Sequence, residues 1–482
     1  MHSEKEDVVA ANRQDEDHTA RRAYSRREFL KIAGISGAAA GVSGGLGGLL
    51  VACGEEAATT TTTTAGGGAT TTAAPGSTTT ASAGVEAGRV IKIGWSTPQT
   101  GGLAGFGGPN RYQRDRWNEA LKDGLVCGDG KNHAIEILFT DNQSDPNRAS
   151  QITADMILNQ SADIIFANSS PDLLNPVGDQ CETLGVPGIL VDCPWQPWYF
   201  RAPPPADGWK WSYLMFWGIE DVIGTFTAMW DQLPTNKTLG ALWPNDPDGN
   251  AWRQEFTKAL EPVGYTIVDP GAFPIGLEDY TTMISAFKKG AVEIVSGVLV
   301  PADFTNFMKQ AAQQGLALKF VTVGKGLLFP ASMNAMGDVG IGATTEVWWH
   351  RKYPFKSSLT GETCDEMAAD YEKRTGEQWS SPLMHYVLME VGVDALKRTS
   401  DIESKDAIVE AIRTTKLDTI AGPIDFSSPV AEGTNHPVPN VYKTPQAGGQ
   451  WRKGQQWPYE LVIVENLNAP MVEVEGTAEP LS

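Results

Sequence analysis

From residue 90 onward the chain repeats one rhythm: a short apolar run, a glycine-rich break, then a longer stretch with apolar residues every three or four positions. Short apolar runs bounded by turn residues read as buried strands, and the 3.6-residue period reads as a helix packed by one face. Val90–Trp95, Ile135–Thr140, Ile164–Ala167 and Gly188–Val191 are the first predicted strands, with helices at Asn110–Lys122, Pro146–Asn159 and Leu173–Leu184. After an irregular aromatic stretch the rhythm resumes. Its strands are Thr238–Trp243, Thr266–Asp269, Ile294–Leu299 and Phe320–Val323, and its helices Ile219–Gln232, Ala251–Leu260, Tyr280–Lys289 and Asp303–Gln314. Helices around 363–375, 383–398 and 404–415 and a strand at Tyr459–Glu465 complete the pattern. Alternating strands and helices predict parallel sheets covered on both faces. Two α/β lobes result, joined near residues 213–219, and three passages between them account for the chain that follows an apparently finished second lobe.

The first 88 residues break this pattern. Ser25-Arg26-Arg27-Glu28-Phe29-Leu30-Lys31 resembles a twin-arginine export motif, and a weakly apolar Gly/Ala segment follows from Ile32 to Leu50. It is too glycine-rich for a membrane span and suits a signal peptide. It ends in Leu50-Val51-Ala52-Cys53, which resembles a lipobox, so Cys53 is the expected lipidated residue. Residues 1–52 are then a signal peptide. Residues 53–88, rich in Thr, Ala and Gly, have little apolar surface to bury and are expected to be a disordered tether. The expected location is the outer face of the cell membrane, or the periplasm, through a lipid anchor.

The tether leaves about 390 residues, enough for two domains of ordinary size. The net charge is −20, and the signal segment carries as many acids as bases, so the rest of the chain holds all of it. An acidic surface argues against nucleic acid as a partner. Besides Cys53 the chain has Cys127, Cys181, Cys193 and Cys364. Outside the cell a disulfide is possible, with Cys181 and Cys193 the favoured pair, and four unpaired buried thiols are the alternative. The scattered histidines argue against a metal site, and no motif calls for a cofactor.

Several segments in order carry a resemblance. "IKIG", Gly101 to Gly107, "FTDNQSDPNRAS", "ADIIFANSS" and "LGVPGIL" resemble the first lobe of the solute-binding proteins of branched-chain amino acid type ABC importers. "EDYTTMISAFKKGAVEIV" and "HYVLMEVGVDALKR" resemble that family's second lobe and return helix, and "AGPIDFSS" a late turn. The resemblance runs from about residue 90 to 465 and implies two doubly wound parallel-sheet lobes joined by a three-strand hinge, closing on a ligand. Lobe 1 is expected at 89–215 and 350–456, and lobe 2 at 216–349 and 457–475. The implied partners are a small-molecule ligand and the permease and ATPase subunits of an importer, with the binding protein a monomer.

The resemblance also implies site residues. The family holds a ligand carboxylate at a loop entering a helix, here Asn168-Ser169-Ser170, where backbone N–H groups and a helix N-terminus favour an anion. The plain alternative is a helix N-cap at Ser170 or Asp172. Phe106 matches a cleft-lining aromatic. Cys193-Pro194-Trp195 aligns with a loop that usually carries small residues, so Trp195 departs from the pattern. Asp248-Gly249 stands where the family usually has Tyr-Gly, and Leu299-Val300-Pro301 is a further wall. In "FVTVGKG" Lys325 stands where amino-acid-binding members place a glutamate for the ligand's ammonium. A lysine there repels an ammonium and suits an anion, unless it is an exposed loop lysine. Eight of the 15 tryptophans lie between residues 195 and 252. Trp195, Trp198, Trp211 and Trp243 are the ones near predicted strand ends, and rings there could stack on an aromatic solute.

The expected function is a solute-binding component of an importer. Its ligand is expected to be a small carboxylate-bearing solute such as an aromatic acid, or an amino acid. A sensor lipoprotein and an exported α/β hydrolase are the alternatives. The hydrolase lacks G-x-S-x-G and any recognisable Ser/His/Asp spacing.

Overall fold

The computed structural model describes residues 85–428, 430 and 438–481. The twin-arginine segment, Cys53 and most of the tether lie outside the described residues.

Two sheets form two lobes, as the alternating pattern predicts. The first is wholly parallel, in the order Val441–Tyr442, Ser212–Met215, Gly188–Val191, Ile164–Asn168, Ile91–Thr97, Ile135–Asp141. The second runs Tyr459–Asn468, Gln446–Lys453, Thr344–Val347, Phe320–Lys325, Ile294–Leu299, Thr238–Leu242, Thr266–Val268. Its two last strands in sequence are antiparallel and the rest parallel. The first five strands of each lobe share one spatial order. In both, the first strand lies between the second and the third, so the order reverses there. Such reversals open a crevice at the carboxyl ends of the strands.

Strands with both faces covered should read as unbroken apolar runs, and the central ones do. Every residue of Ile164–Asn168, Ile294–Leu299 and Phe320–Lys325 is buried. Ten tryptophans are among the largest fully buried side chains. Most of the tryptophan content is therefore core.

The structure corrects several boundaries. Gln446–Lys453 pairs with Thr344–Val347 and Tyr459–Asn468 in the second sheet, so the last crossing falls between Tyr442 and Gln446 and not at 456. Its sequence, QAGGQWRK, hides a strand. A Cβ on Gly448 would lie 2.6 Å from Met229 Sδ, so the glycine lets the Ile219–Trp230 helix sit against the sheet. Ser212–Met215 and Thr344–Val347 are strands of four residues each that the pattern left unmarked. At the other end, Glu86 and Gly88 exchange backbone hydrogen bonds with Asn132, so paired chain begins before residue 89. The four described cysteines are free and buried, and Cys181 and Cys193 are not bonded. No helix among the described residues is long and apolar enough to cross a membrane.

Candidate functional site

The carboxyl ends of both sheets converge on one small cavity of about 20 Å³, on the scale of one water molecule. The first lobe contributes Phe106, Ser170, Asp192 and Pro194, and the second Asp248, Trp252, Val298, Lys325, Leu328 and Glu346. Phe216, Trp217 and Trp348 come from the chain that follows Met215 and Val347, where it passes between the lobes. The rings of Phe106 and Phe329 meet edge to face across the lobes at 5.1 Å.

Lys325 ends the Phe320–Lys325 strand with φ of 57°, and the Gly326 N–H donates to the Gly324 carbonyl at 2.6 Å. That is a γ-turn centred on a lysine in the left-handed region, a conformation that costs on the order of 1–3 kcal/mol. The flanking glycines leave little room for a side chain. A Cβ on Gly324 would stand 3.1 Å from Glu346 Oε1 and from Trp252, and one on Gly326 would stand 3.0 Å from the Leu299 carbonyl. The turn buries the ammonium, which lies 2.5 Å from Asp248, 3.2 Å from Asp246 and 3.9 Å from Asp172. Burial opposes its charge, but the three carboxylates outweigh burial and raise its pKa. A buried ammonium is tolerable only with such partners.

The same arrangement crowds acids. Burial pushes the Asp248 carboxyl up; Lys325 opposes this and Asp246 and Asp172 add to it, so the balance is upward. Three carboxylates cannot all ionise cheaply around one ammonium. Burial also carries Glu346 to about 8, although the Lys325 backbone N–H and the Thr345 hydroxyl relieve it in part.

Across the cavity, Ser169 and Asp192 also have positive φ, 128° and 78°. Both stand just beyond carboxyl ends of strands in the first sheet, so strained residues cluster at this site as they do at ligand clamps. Asp192 hydrogen-bonds His385, whose other nitrogen lies 2.8 Å from Asn110 Oδ1. Burial raises the Asp192 carboxyl, against the pull of His385. Asn110 donates to Asn168 Oδ1, and Asn168 donates to the Phe106 carbonyl. The Trp348 ring stacks on His385, the planes 19° apart.

Several polar atoms here have no hydrogen-bond partner. They are Asp192 Oδ1, Asp248 Oδ1, Ser169 Oγ and the indole N–H groups of Trp217, Trp252 and Trp348. Buried polar atoms are normally paired, so such a cluster calls for an explanation.

The structure brings Phe106, Ser170, Asp248 and Lys325 together around the cavity. Asn168, Ser169 and Cys193 adjoin lining residues without lining it themselves. Asn168 is used inside the first lobe, and the Cys193 thiol donates to the Pro194 carbonyl. Leu299 gives way to Val298, because alternate strand residues face opposite ways. Trp195 lies elsewhere. Its indole donates to Glu220, and it lines a separate groove of about 860 Å³ beside the Pro247–Leu260 helix. Lys325 is neither an exposed loop lysine nor an open anion receptor, since three aspartates already hold it. The pattern missed Asp192, Trp217, Glu346 and Trp348. Their available signal was position, since each lies at or just beyond the carboxyl end of a strand.

The profile of a family described as periplasmic binding protein matches residues 90–446. No curated protein sequence matches the chain. Among solved structures, a leucine-binding protein from Thermotoga maritima superposes with a TM-score of 0.64 at 17% identity, covering 78% of this chain and 99% of that one. A solute-binding protein of an ABC transporter from Rhodopseudomonas palustris, in complex with 3,4-dihydroxybenzoic acid, gives 0.64 at 19% identity over 80% and 99%. A closed form of a leucine-, isoleucine-, valine-, threonine- and alanine-binding protein from Brucella ovis gives 0.63 at 18% identity over 80% and 96%. At such identities the likeness concerns the fold.

Proposed function

The chain belongs to the periplasmic binding protein family, and we propose that it is the extracytoplasmic solute-binding component of an ABC importer. It captures a small organic solute between its lobes and passes it to permease and ATPase subunits, with no catalytic step. The observation that carries this reading is a cavity lined from the carboxyl ends of both sheets. The three crossings, after Met215, after Val347 and after Tyr442, are the proposed hinge. The anchor is proposed at Cys53, holding the protein at the outer face of the membrane.

A carboxylate-bearing solute is a second reading. One observation favours it: the unpartnered Ser169 hydroxyl stands beside the N-terminus of the Pro171–Leu184 helix. Against it, Asp172 already occupies the first turn of that helix and accepts from Ser170 at 3.2 Å.

The test is native mass spectrometry of the protein from its own cells, followed by small-angle scattering with the solute removed and restored. A co-purifying small molecule whose return compacts the protein is expected. A chain that carries no solute and never compacts is not a binding protein of this kind.

A further inference from the structure

We propose that the cleft selects a small organic cation, one with an N–H-rich charged group such as a primary ammonium or an amidinium and with no carboxylate. The inference rests on the solute-binding reading and names its ligand class.

Five carboxyl groups stand at this site: Asp172 and Asp192 from the first lobe, Asp246, Asp248 and Glu346 from the second. One ammonium, Lys325, stands against them, and it is engaged by three of the five. An incoming carboxylate would have to displace an aspartate from Lys325 and would then face the others in a water-poor space, where like charges repel most strongly. A cation meets the opposite balance.

The second observation is independent of the charge count. Asp192 is 4% exposed and Asp248 2%, both line the cavity, and each has one carboxylate oxygen without a donor. They come from opposite lobes. A ligand group with several N–H bonds can donate to both at once, which satisfies two buried acceptors and joins the lobes through the ligand. A carboxylate has no proton to give them. Phe216, Trp217, Trp252 and Trp348 line the same space, and aromatic rings favour a desolvated cation. The unpartnered indole N–H groups suit a hydroxyl oxygen on the same ligand.

The test is calorimetry on the full-length chain with two matched series. Ethanolamine, glycolate, glycolamide and glycine form the small one. Phenethylamine, 3-phenylpropionate, 3-phenylpropionamide and phenylalanine form the aromatic one. In at least one series the amine is expected to bind about ten-fold or more tighter than its carboxylate, amide and zwitterionic partners. Asp248→Asn is expected to weaken the amine about ten-fold, and Glu346→Gln, which leaves the Lys325 ion pairs in place, is expected to act in the same direction. Tighter binding of a carboxylate or zwitterion, with compaction in scattering, overturns the cation class while the solute-binding reading stands. Amine binding that neither variant weakens overturns the site. If no amine binds in either series the class falls, and the solute-binding reading falls with it only if the native protein also carries no solute.

Discussion

The ammonium of Lys325, carried by the second sheet, lies 3.9 Å from the carboxylate of Asp172, carried by a helix of the first lobe. Asp246 and Asp248 hold the same ammonium from within the second lobe. One lysine therefore neutralises acids on both sides of the cleft. Lys325→Met keeps most of the side-chain volume and leaves three carboxylates without their cation. The expected loss at pH 7 is about 3 kcal/mol, the scale for removing one partner of a buried pair. The loss should shrink at pH 5, where the orphaned carboxyls take up protons, and at pH 7 the variant should bind amines more tightly than the parent. Urea unfolding at the two pH values measures this, and an equal loss at both would show that the cluster is not electrostatic in origin.

Glu346 gives a pH signature. Its pKa rises from near 4.5 to about 8 on folding, so the folded state holds a proton that the unfolded state loses. That contribution is full below about pH 4.5 and is lost as pH climbs through 8. Glutamine cannot titrate and keeps an oxygen for the Lys325 N–H. Relative to the parent protein, Glu346→Gln should therefore gain on the order of 4 kcal/mol between pH 5 and pH 8.5. Thermal melts of both proteins across that range are the check, and parallel profiles would remove Glu346 as the titrating group.

Ligand charge should move protons. Asp192, Asp248 and Glu346 all have raised pKa values, in a setting that also holds Asp172, Asp246, Lys325, His385 and Cys193. A bound cation favours ionised carboxyls and so releases protons near pH 7. Calorimetry of one amine in phosphate and in Tris should give enthalpies that differ in the direction of proton release. Proton uptake would indicate an anionic ligand group.

The anchor is tested separately. Cys53→Ser should move the protein from the membrane fraction to the medium with an unchanged melting temperature, because Glu86 makes the first backbone pairing among the described residues. Fractionation and a melt of the released protein decide this. A destabilised product would mean that the segment before Val85 contributes to the fold.

The lobes were legible because their central strands are apolar on both faces and longer than a turn. Phe320–Lys325 announces itself in this way. Gln446–Lys453 does not, since its glycines answer to a helix in another part of the chain. At the site, the position of Lys325 at a strand end was readable and its partners were not. Asp172, Asp246 and Asp248 come from two lobes, and no spacing in the sequence states that they share one ammonium. The tryptophans mislead for a related reason. Trp195 lies four residues past a strand and Trp348 directly after one, and a short helix turns Trp195 away from the cavity.

The order of the strands also fixes an order in time. Val441–Tyr442 borders the first sheet, and Gln446–Lys453 and Tyr459–Asn468 complete the second. A chain emerging from the ribosome can complete the first sheet only once residue 442 has been made and the second only once residue 468 has, so its halves cannot mature one after the other as beads on a string. Pairing a strand near residue 214 with one near 441, or one near 345 with one near 449, closes long loops, which slows folding. The crossings proposed as the hinge thus also make both lobes wait for the late segment that follows residue 440.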